Sequence, residues 1–179
     1  MYFDGVADLP VIVPVPVGIA VGAAAGWING SITAYTGVPP FVPTLGMLVV
    51  ARGIAVLYND GGPIIGLTDS YRAIGSGMGP VLIFVAVAVL FHILLTRTVY
   101  GRRTYAIGSN EEAARIAGIN IRAHKILVYT IAGGLAGLAG VAMSARATMA
   151  QSGMGLMYEL DAISAAVIGG TSLFGGRGR

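Results

Sequence analysis

Long apolar runs, separated by short polar segments, dominate the chain. A helix needs about 20 consecutive apolar residues to cross the hydrocarbon core of a bilayer. Sliding hydropathy predicts such helices at 10–28, 40–58, 78–96 and 126–145. A fifth segment, 160–174, is shorter and contains an acid and a glycine pair, which is typical of a tilted, broken or re-entrant segment. The pattern predicts an all-α, polytopic transmembrane helical bundle of four to five spans.

Composition supports this interpretation and removes several classes of protein. Of the 179 residues, 55% are hydrophobic and 11% charged, with a mean hydropathy of +0.80, whereas soluble domains carry roughly 25% charged residues. Residues 9–51 include no Asp, Glu, Lys or Arg, so no soluble surface can be built from them. The chain has no cysteine, which excludes disulfides and thiolate metal sites. We expect residues 1–179 to form a single transmembrane domain.

Basic residues set the expected orientation. The formal charge is +3 and the pI is near 9.4, but six of the eleven Lys and Arg lie within 97–125, between two apolar spans. This distribution is typical of a cytoplasmic loop and argues against a nucleic-acid partner. The acid-containing segment 59–77 is then expected outside the membrane, and the uncharged turn around 29–39 inside.

Small residues recur along two of the predicted helices. They let helix backbones approach closely in a membrane. Two interpretations stay open, namely packing between helices of one subunit and a seam between two subunits. The residues are Gly18, Gly22, Gly26 and Gly30 in the first helix, and Gly133, Ala136, Gly137, Gly140 and Ser144 in the fourth.

Candidate catalytic chemistry is sparse. The two histidines, His92 and His124, have no carboxylate or second histidine at ligand spacing, so we expect no metal site. The glycine-rich segment 169–178 lacks the Gly-Lys-Ser/Thr ending with which a phosphate loop reaches phosphate and magnesium. We therefore predict that the chain is not an enzyme and binds no cofactor itself.

Charged and small residues within or beside the apolar segments have alternative roles. Arg52 lies about two turns from the outer end of its helix, where it either reaches the interface or lines a translocation path. Asp161 begins the last apolar segment, where it either caps a helix or lines the same path. Gly169, Gly170 and Thr171 are further candidates for the path.

The polar stretch NEEAARIAGIN, at 110–120, predicts a helix of about two turns. Ser109 and Glu112 have the spacing of a capping box at its start. Gly118 suits a left-handed position just after its end, with Ile119 as the hydrophobic residue that follows.

The two faces of this short helix are also distinct in the sequence. Glu111 and Arg115 have the spacing of an ion pair, and Ala113, Ile116 and Ala117 form a small apolar stripe. An isolated helix of this length is not stable in water. Either the rest of the protein or a partner must therefore hold it, and the residues alone favour neither.

The residues around this helix resemble a known family. EAARIAG, at 112–118, is similar to the EAA loop of permease subunits of binding-protein-dependent ABC importers. Three segments resemble, in order and spacing, the ribose/xylose/galactose-type sugar permeases. They are GVPPFVPTLGMLVVARGIAVLYNDGGPI (37–64), YGRRTYAIGSNEEAARIAGINI (100–121) and YELDAISAAVIGGTSLFGGRG (158–178). Known members have further spans on both sides of this region, so we expect the chain to be a fragment of a larger permease.

The resemblance implies a multi-pass inner-membrane permease subunit that moves a monosaccharide by alternating access. The implied partners are a cytoplasmic ABC ATPase that binds ATP and Mg, an extracytoplasmic sugar-binding protein, an identical or different second permease subunit, and membrane lipid. Coupling to the ATPase is assigned to Glu112, Ala113, Ala114 and Gly118, within a cytoplasmic loop over 97–125. Weaker candidates beside them are Ser109, Asn110, Glu111, Arg115 and Ile119.

Three alternatives stay open. Permeases of branched-chain amino-acid ABC importers share the general architecture, although YELDAISAAVIGGTSLFGG favours the sugar group. An ion-coupled carrier or channel usually places acids within the membrane, and this chain has few there. A structural membrane scaffold would not depend on the helix at 110–119.

Overall fold

The computed structural model describes residues 13–58, 60–65, 67, 69–172 and 175. Its helices are α1 (Pro14–Thr36), α2 (Phe41–Tyr58), α3 (Asp69–Gly75), α4 (Gly79–Arg97), α5 (Val99–Ser109), α6 (Glu111–Ile116), α7 (Ile121–Ala147) and α8 (Tyr158–Ile168). Two short strands, β1 (Ile64–Ile65) and β2 (Met149–Ala150), pair antiparallel. Of these helices, α1, α2, α4 and α7 are long and apolar enough to cross a membrane. The predicted all-α, polytopic class is confirmed.

The chain divides into two compact units. The first comprises Met1–Leu82 and Lys125–Met154, and the second comprises Ile83–His124 and Gly155–Arg179. The first unit therefore holds α1, α2, α3 and the strand pair, and the second holds α5, α6 and α8. Helices α4 and α7 contribute residues to both.

Few apolar side chains of the described residues are buried. They are Val141 and Ala145 in the first unit, and Ala114 and Ile121 in the second. Large side chains along the spans are exposed, as Phe84 is. In a bilayer such side chains meet a solvent as apolar as themselves, so helices associate through close packing of small residues.

The two small-residue ladders meet where α1 packs on α7 in the first unit. A Cβ atom at Gly22 would overlap the carbonyl oxygen of Gly133, and one at Gly26 would overlap the carbonyl oxygen of Tyr129. The structure therefore favours packing within one subunit. Gly140 has open space at its Cβ position and lies outside this crossing.

Helix α1 is longer than the sequence pattern predicts. We expected its span to end at residue 28 and a turn around 29–39, but α1 continues to Thr36 and ends at Gly37, which has a φ of 68°. The reason is packing: Gly30 fits closely against Ile126 of α7, and the Thr33 hydroxyl donates to a carbonyl within the helix. The inner turn is therefore confined to 37–40.

The segment between α2 and α4 packs on the end of α7. The Tyr71 hydroxyl lies 2.6 Å from the Ser144 hydroxyl and donates to the Val141 carbonyl at 3.2 Å. The backbone of α3 at Gly75 approaches that of α7 at Ala145 so closely that a Cβ would overlap it. The segment around α3 and the end of α7 therefore lie side by side in the first unit.

Candidate functional site

Helix α6, at the centre of NEEAARIAGIN, begins at a side-chain cap. Asn110 has an extended backbone, and its Oδ1 accepts from the Ala113 N–H at 3.0 Å, which satisfies one otherwise free donor of the first turn. The predicted capping box of Ser109 and Glu112 is wrong. Ser109 is the last residue of α5, and a residue with helical backbone angles does not take the N-cap position.

The end of α6 has the left-handed cap that the sequence predicts. Gly118 has a φ of 81°, and its N–H donates to the Arg115 carbonyl at 3.0 Å. The N–H of Ile119 donates to the Ala114 carbonyl at 3.1 Å. These two bonds form a Schellman motif. Helix α6 is thus capped at both ends by its own residues.

The two faces of α6 have different surroundings. Ala114 is 4% exposed, and α6 packs against α5 in the same unit. The apolar stripe predicted from the sequence points the other way, since Ala113 and Ala117 are exposed and Ile116 is 84% exposed. One face is therefore held by the protein itself, and the opposite face presents an apolar stripe to the surroundings.

Charges contribute little to holding α6. Arg115 and Glu111 form the predicted pair one turn apart, at 3.8 Å, with side chains 72% and 43% exposed. Such an exposed pair stabilises a helix by about 0.3 kcal/mol. Glu112 is also exposed, in the first turn. The caps and the contact with α5 therefore contribute more than the ion pair.

Helix α5 supports α6 and starts at a tight corner after α4. The Thr98 hydroxyl accepts from the Gly101 N–H at 3.4 Å and donates to the Leu94 carbonyl. Gly101 is buried, and a Cβ there would overlap the carbonyl group of Leu95. Glycine is therefore required at this corner.

A buried histidine joins α5 to the first turn of α7. His124 is 9% exposed. Its Nε2 lies 2.9 Å from the Thr104 hydroxyl, and its ring centroid lies 5.1 Å from that of Tyr100. The Thr104 hydroxyl also lies 2.9 Å from the Tyr100 carbonyl, to which it can donate.

Sequence reasoning missed this group of three residues, because it considered His124 only as a metal ligand. The available signal was the spacing of Tyr100 and Thr104, which places them on one face of α5. Asn120 caps α7, with its Oδ1 accepting from the Ala123 N–H at 3.0 Å. Burial raises the pKa of the Tyr100 phenol, so it stays protonated at neutral pH.

Cations surround this assembly. They lie in the same unit as α5 and α6, and their side chains are exposed, which suits contact with lipid headgroups or with an acidic partner surface. They are Arg97, Arg102, Arg103, Arg115 and Arg122.

The candidates for a translocation path fall in different units. Arg52 is half-buried in α2, in the first unit. Asp161 is exposed in the first turn of α8, in the second unit. Asp161 is not the N-cap residue, since Met157 occupies that position, but it lies in the first turn of α8, where an acid complements the helix dipole as expected. The assignment of a path to these residues stays a prediction.

The glycine pair of the last apolar segment ends α8. Gly170 has a φ of 88°, its N–H donates to the Val167 carbonyl, and the Thr171 N–H donates to the Ala166 carbonyl. This is a second Schellman motif, with Gly169 at the C-cap. With 11 residues, α8 is about 16 Å long, roughly half the thickness of a bilayer core. Residues 173 and 174 of the predicted segment lie outside the described residues.

The described residues contain no group of three or more His, Cys, Asp or Glu that could hold a metal ion. Their distinctive features are apolar spans, a glycine crossing and a capped helix that presents an apolar stripe. Together these define a polytopic membrane protein with a short capped helix that exposes an apolar stripe.

Comparison with protein families makes this class specific. Residues 2–176 match the family described as branched-chain amino acid transport system / permease component. The chain belongs to this family of transporter permeases and is a multi-pass protein of the inner membrane.

Individual relatives are named as sugar import permeases. The chain is 44% identical to the ribose import permease of Bacillus subtilis over 158 residues, which cover 84% of this chain and 49% of the relative. It is 41% identical to the ribose import permease of Escherichia coli K12 over 96% of this chain and 56% of the relative. The galactose/methyl galactoside import permease of Haemophilus influenzae is 34% identical over 98% of this chain and 56% of the relative.

The chain thus spans about half the length of the curated relatives it matches. No solved structure matches it.

Proposed function

We propose that this chain is the permease subunit of an ATP-driven ABC importer for a monosaccharide such as ribose. It forms the translocation path with a second permease subunit and receives sugar from an extracytoplasmic binding protein. It binds no cofactor itself, because ATP and Mg²⁺ bind to a cytoplasmic ATPase subunit. The alternating-access movement is driven through α6, which docks on that ATPase.

The exposed stripe on α6 is the observation that carries this proposal. Ile116 projects from a helix whose backbone ends are already satisfied by Asn110 and by the Gly118 turn. A partner that binds the stripe therefore spends little binding free energy on ordering the helix. An exposed isoleucine between two exposed alanines fits a small apolar groove.

A monosaccharide is the favoured substrate because the ribose and galactose permeases above are 34–44% identical to this chain. The family description names branched-chain amino acids, so these form the second candidate. Uptake of radiolabelled ribose, measured with unlabelled ribose or unlabelled leucine as the competitor, distinguishes the two candidates. Sugar transport requires that ribose competes and leucine does not.

Replacing Ile116 by Asp tests the docking role of α6. In the protein co-expressed with its ATPase, Ile116→Asp should reduce co-purification of the ATPase at least about tenfold, because burying an unpaired carboxylate in an apolar groove is costly. Ribose uptake into membrane vesicles should fall in parallel.

Ile116→Leu is the matched control. It should retain both ATPase co-purification and ribose uptake, because it keeps the apolar volume of the side chain. Equal amounts of each variant in the membrane show that insertion is unaffected. Normal ATPase binding by Ile116→Asp would refute the docking assignment.

A further inference from the structure

His124 is the buried member of the two histidines. It is 9% exposed, whereas His92, in α4, is exposed. Tyr100 and Thr104, one turn apart on α5, enclose the His124 ring through the ring contact and the hydrogen bond described above. None of these three residues belongs to the EAARIAG stretch, so docking of α6 does not account for them.

The position of His124 links the docking helix to a membrane span. Helix α6 packs on α5 through a buried alanine, Ala114. Helix α7, one of the candidate spans, begins at Ile121. The α5–α6 pair is joined to α7 by the covalent turn 117–120, which contains the left-handed Gly118, and by the contacts of His124 with Thr104 and Tyr100.

The covalent turn joins only the end of α6 to the start of α7, whereas the side-chain link joins α7 to α5, against which α6 packs. The side-chain link is half-buried and directional, and His124 lies in the first turn of α7, whose start is fixed by the Asn120 cap. A buried hydrogen bond resists displacement because breaking it leaves polar groups without partners.

We infer that His124 is a positioning residue for transport: the hydrogen bond between its Nε2 and the Thr104 hydroxyl carries the movement of α5 and α6 to α7. This inference rests on the proposed function, since it assumes that α6 is driven by an ATPase. It differs from docking, because His124 acts after the ATPase has bound.

Three substitutions separate the hydrogen bond from packing of the ring. His124→Phe keeps a ring but removes the hydrogen-bonding nitrogen, and His124→Gln keeps a hydrogen-bonding amide but removes the ring. Thr104→Val removes the hydroxyl with little change of shape. Thr104→Val tests the bond from the α5 side, so the inference is tested even when His124→Phe does not accumulate in the membrane.

The experiment uses the complete transporter, purified with its ATPase and reconstituted in liposomes with its binding protein. The quantity measured is ribose taken up per ATP hydrolysed, together with ATPase co-purification. We expect His124→Phe and Thr104→Val to lower the uptake ratio about two- to tenfold, the range that loss of one net hydrogen bond gives. Co-purification should stay unchanged. His124→Gln should restore most of the ratio, and His92→Phe, the control, should leave it unaltered.

Each other outcome overturns a stated part. A normal ratio in His124→Phe or Thr104→Val overturns the inference and leaves the proposed function intact. Loss of ATPase co-purification in Thr104→Val also overturns it, because the bond would then serve docking. A defect in His124→Gln as large as that in His124→Phe shows that the ring, not the bond, matters. Uptake by the unaltered transporter that needs no ATP overturns the proposed function and the inference with it.

Discussion

The α1–α7 crossing and the segment around α6 both require glycine, but for opposite reasons. At the crossing, Gly22 and Gly133 lie in regular helices, and a Cβ on either would overlap the backbone of the other helix. At Gly118 a Cβ would meet open space, and glycine is needed for the φ of 81°. The crossing needs glycine because it has no side chain, and the turn after α6 needs glycine because of its backbone conformation.

The difference follows from the solvent around each region. Lipid supplies no hydrophobic force between helices, so a crossing in the membrane is held by close backbone contact. Water competes for the ends of a short helix outside the apolar spans, so α6 depends on its caps at Asn110 and Gly118. At the crossing, each helix covers the glycines of the other, whereas α6 leaves Ile116 exposed.

The largest effect is expected at the crossing. Gly22→Leu should lower the free energy of unfolding by about 3 kcal/mol or prevent folding, because its Cβ has no space against Gly133. Unfolding in detergent micelles, followed by circular dichroism during a titration with sodium dodecyl sulfate, measures it. Gly140→Leu, in α7 but with open space at Cβ, is the control and should change the midpoint little. Equal losses in the two variants would show that the crossing does not hold α1 on α7.

A smaller and local effect is expected at the start of α6. Asn110→Ala should destabilise the helix by about 1 kcal/mol, the usual cost of losing an N-cap, so exchange of the Ala113 amide hydrogen should accelerate about fivefold. Ser109→Ala, one residue earlier, should have almost no effect, because Ser109 ends α5. The unfolding midpoint of the α1–α7 crossing should be unchanged in both. A larger effect of the substitution at Ser109 than of that at Asn110 would instead support the capping box of Ser109 and Glu112.

Local patterns explain what the sequence predicted well. Apolar runs located the spans, Gly118 marked the end of α6, and the spacing of Glu111 and Arg115 identified their pair. The start of α6 was misplaced because α5, with its glycines and polar residues, gives no clear helical signal. The limit of α1 was misplaced because its last turns are held by packing of Gly30 on α7.

Contacts between residues that are far apart in the chain could not be predicted from the sequence. Thr104 and His124 are 20 residues apart, and Tyr71 and Ser144 are 73 apart. No periodicity within one segment brings such residues together, since only the docking of one helix on another does. The residues that join α5 to α7 therefore became candidates for function only in the structure.

The smallest effect is expected for the ion pair on α6. Arg115→Gln preserves helix propensity and removes the pair with Glu111, so it should destabilise α6 by about 0.3 kcal/mol. The pair is exposed at 3.8 Å, and 1 M salt, with a screening length of about 3 Å, should weaken it. Amide exchange in α6 should therefore respond to salt in the unaltered protein and much less in Arg115→Gln. An effect of Arg115→Gln as large as that of Asn110→Ala would mean that charge, rather than the caps, holds α6 in its helical conformation.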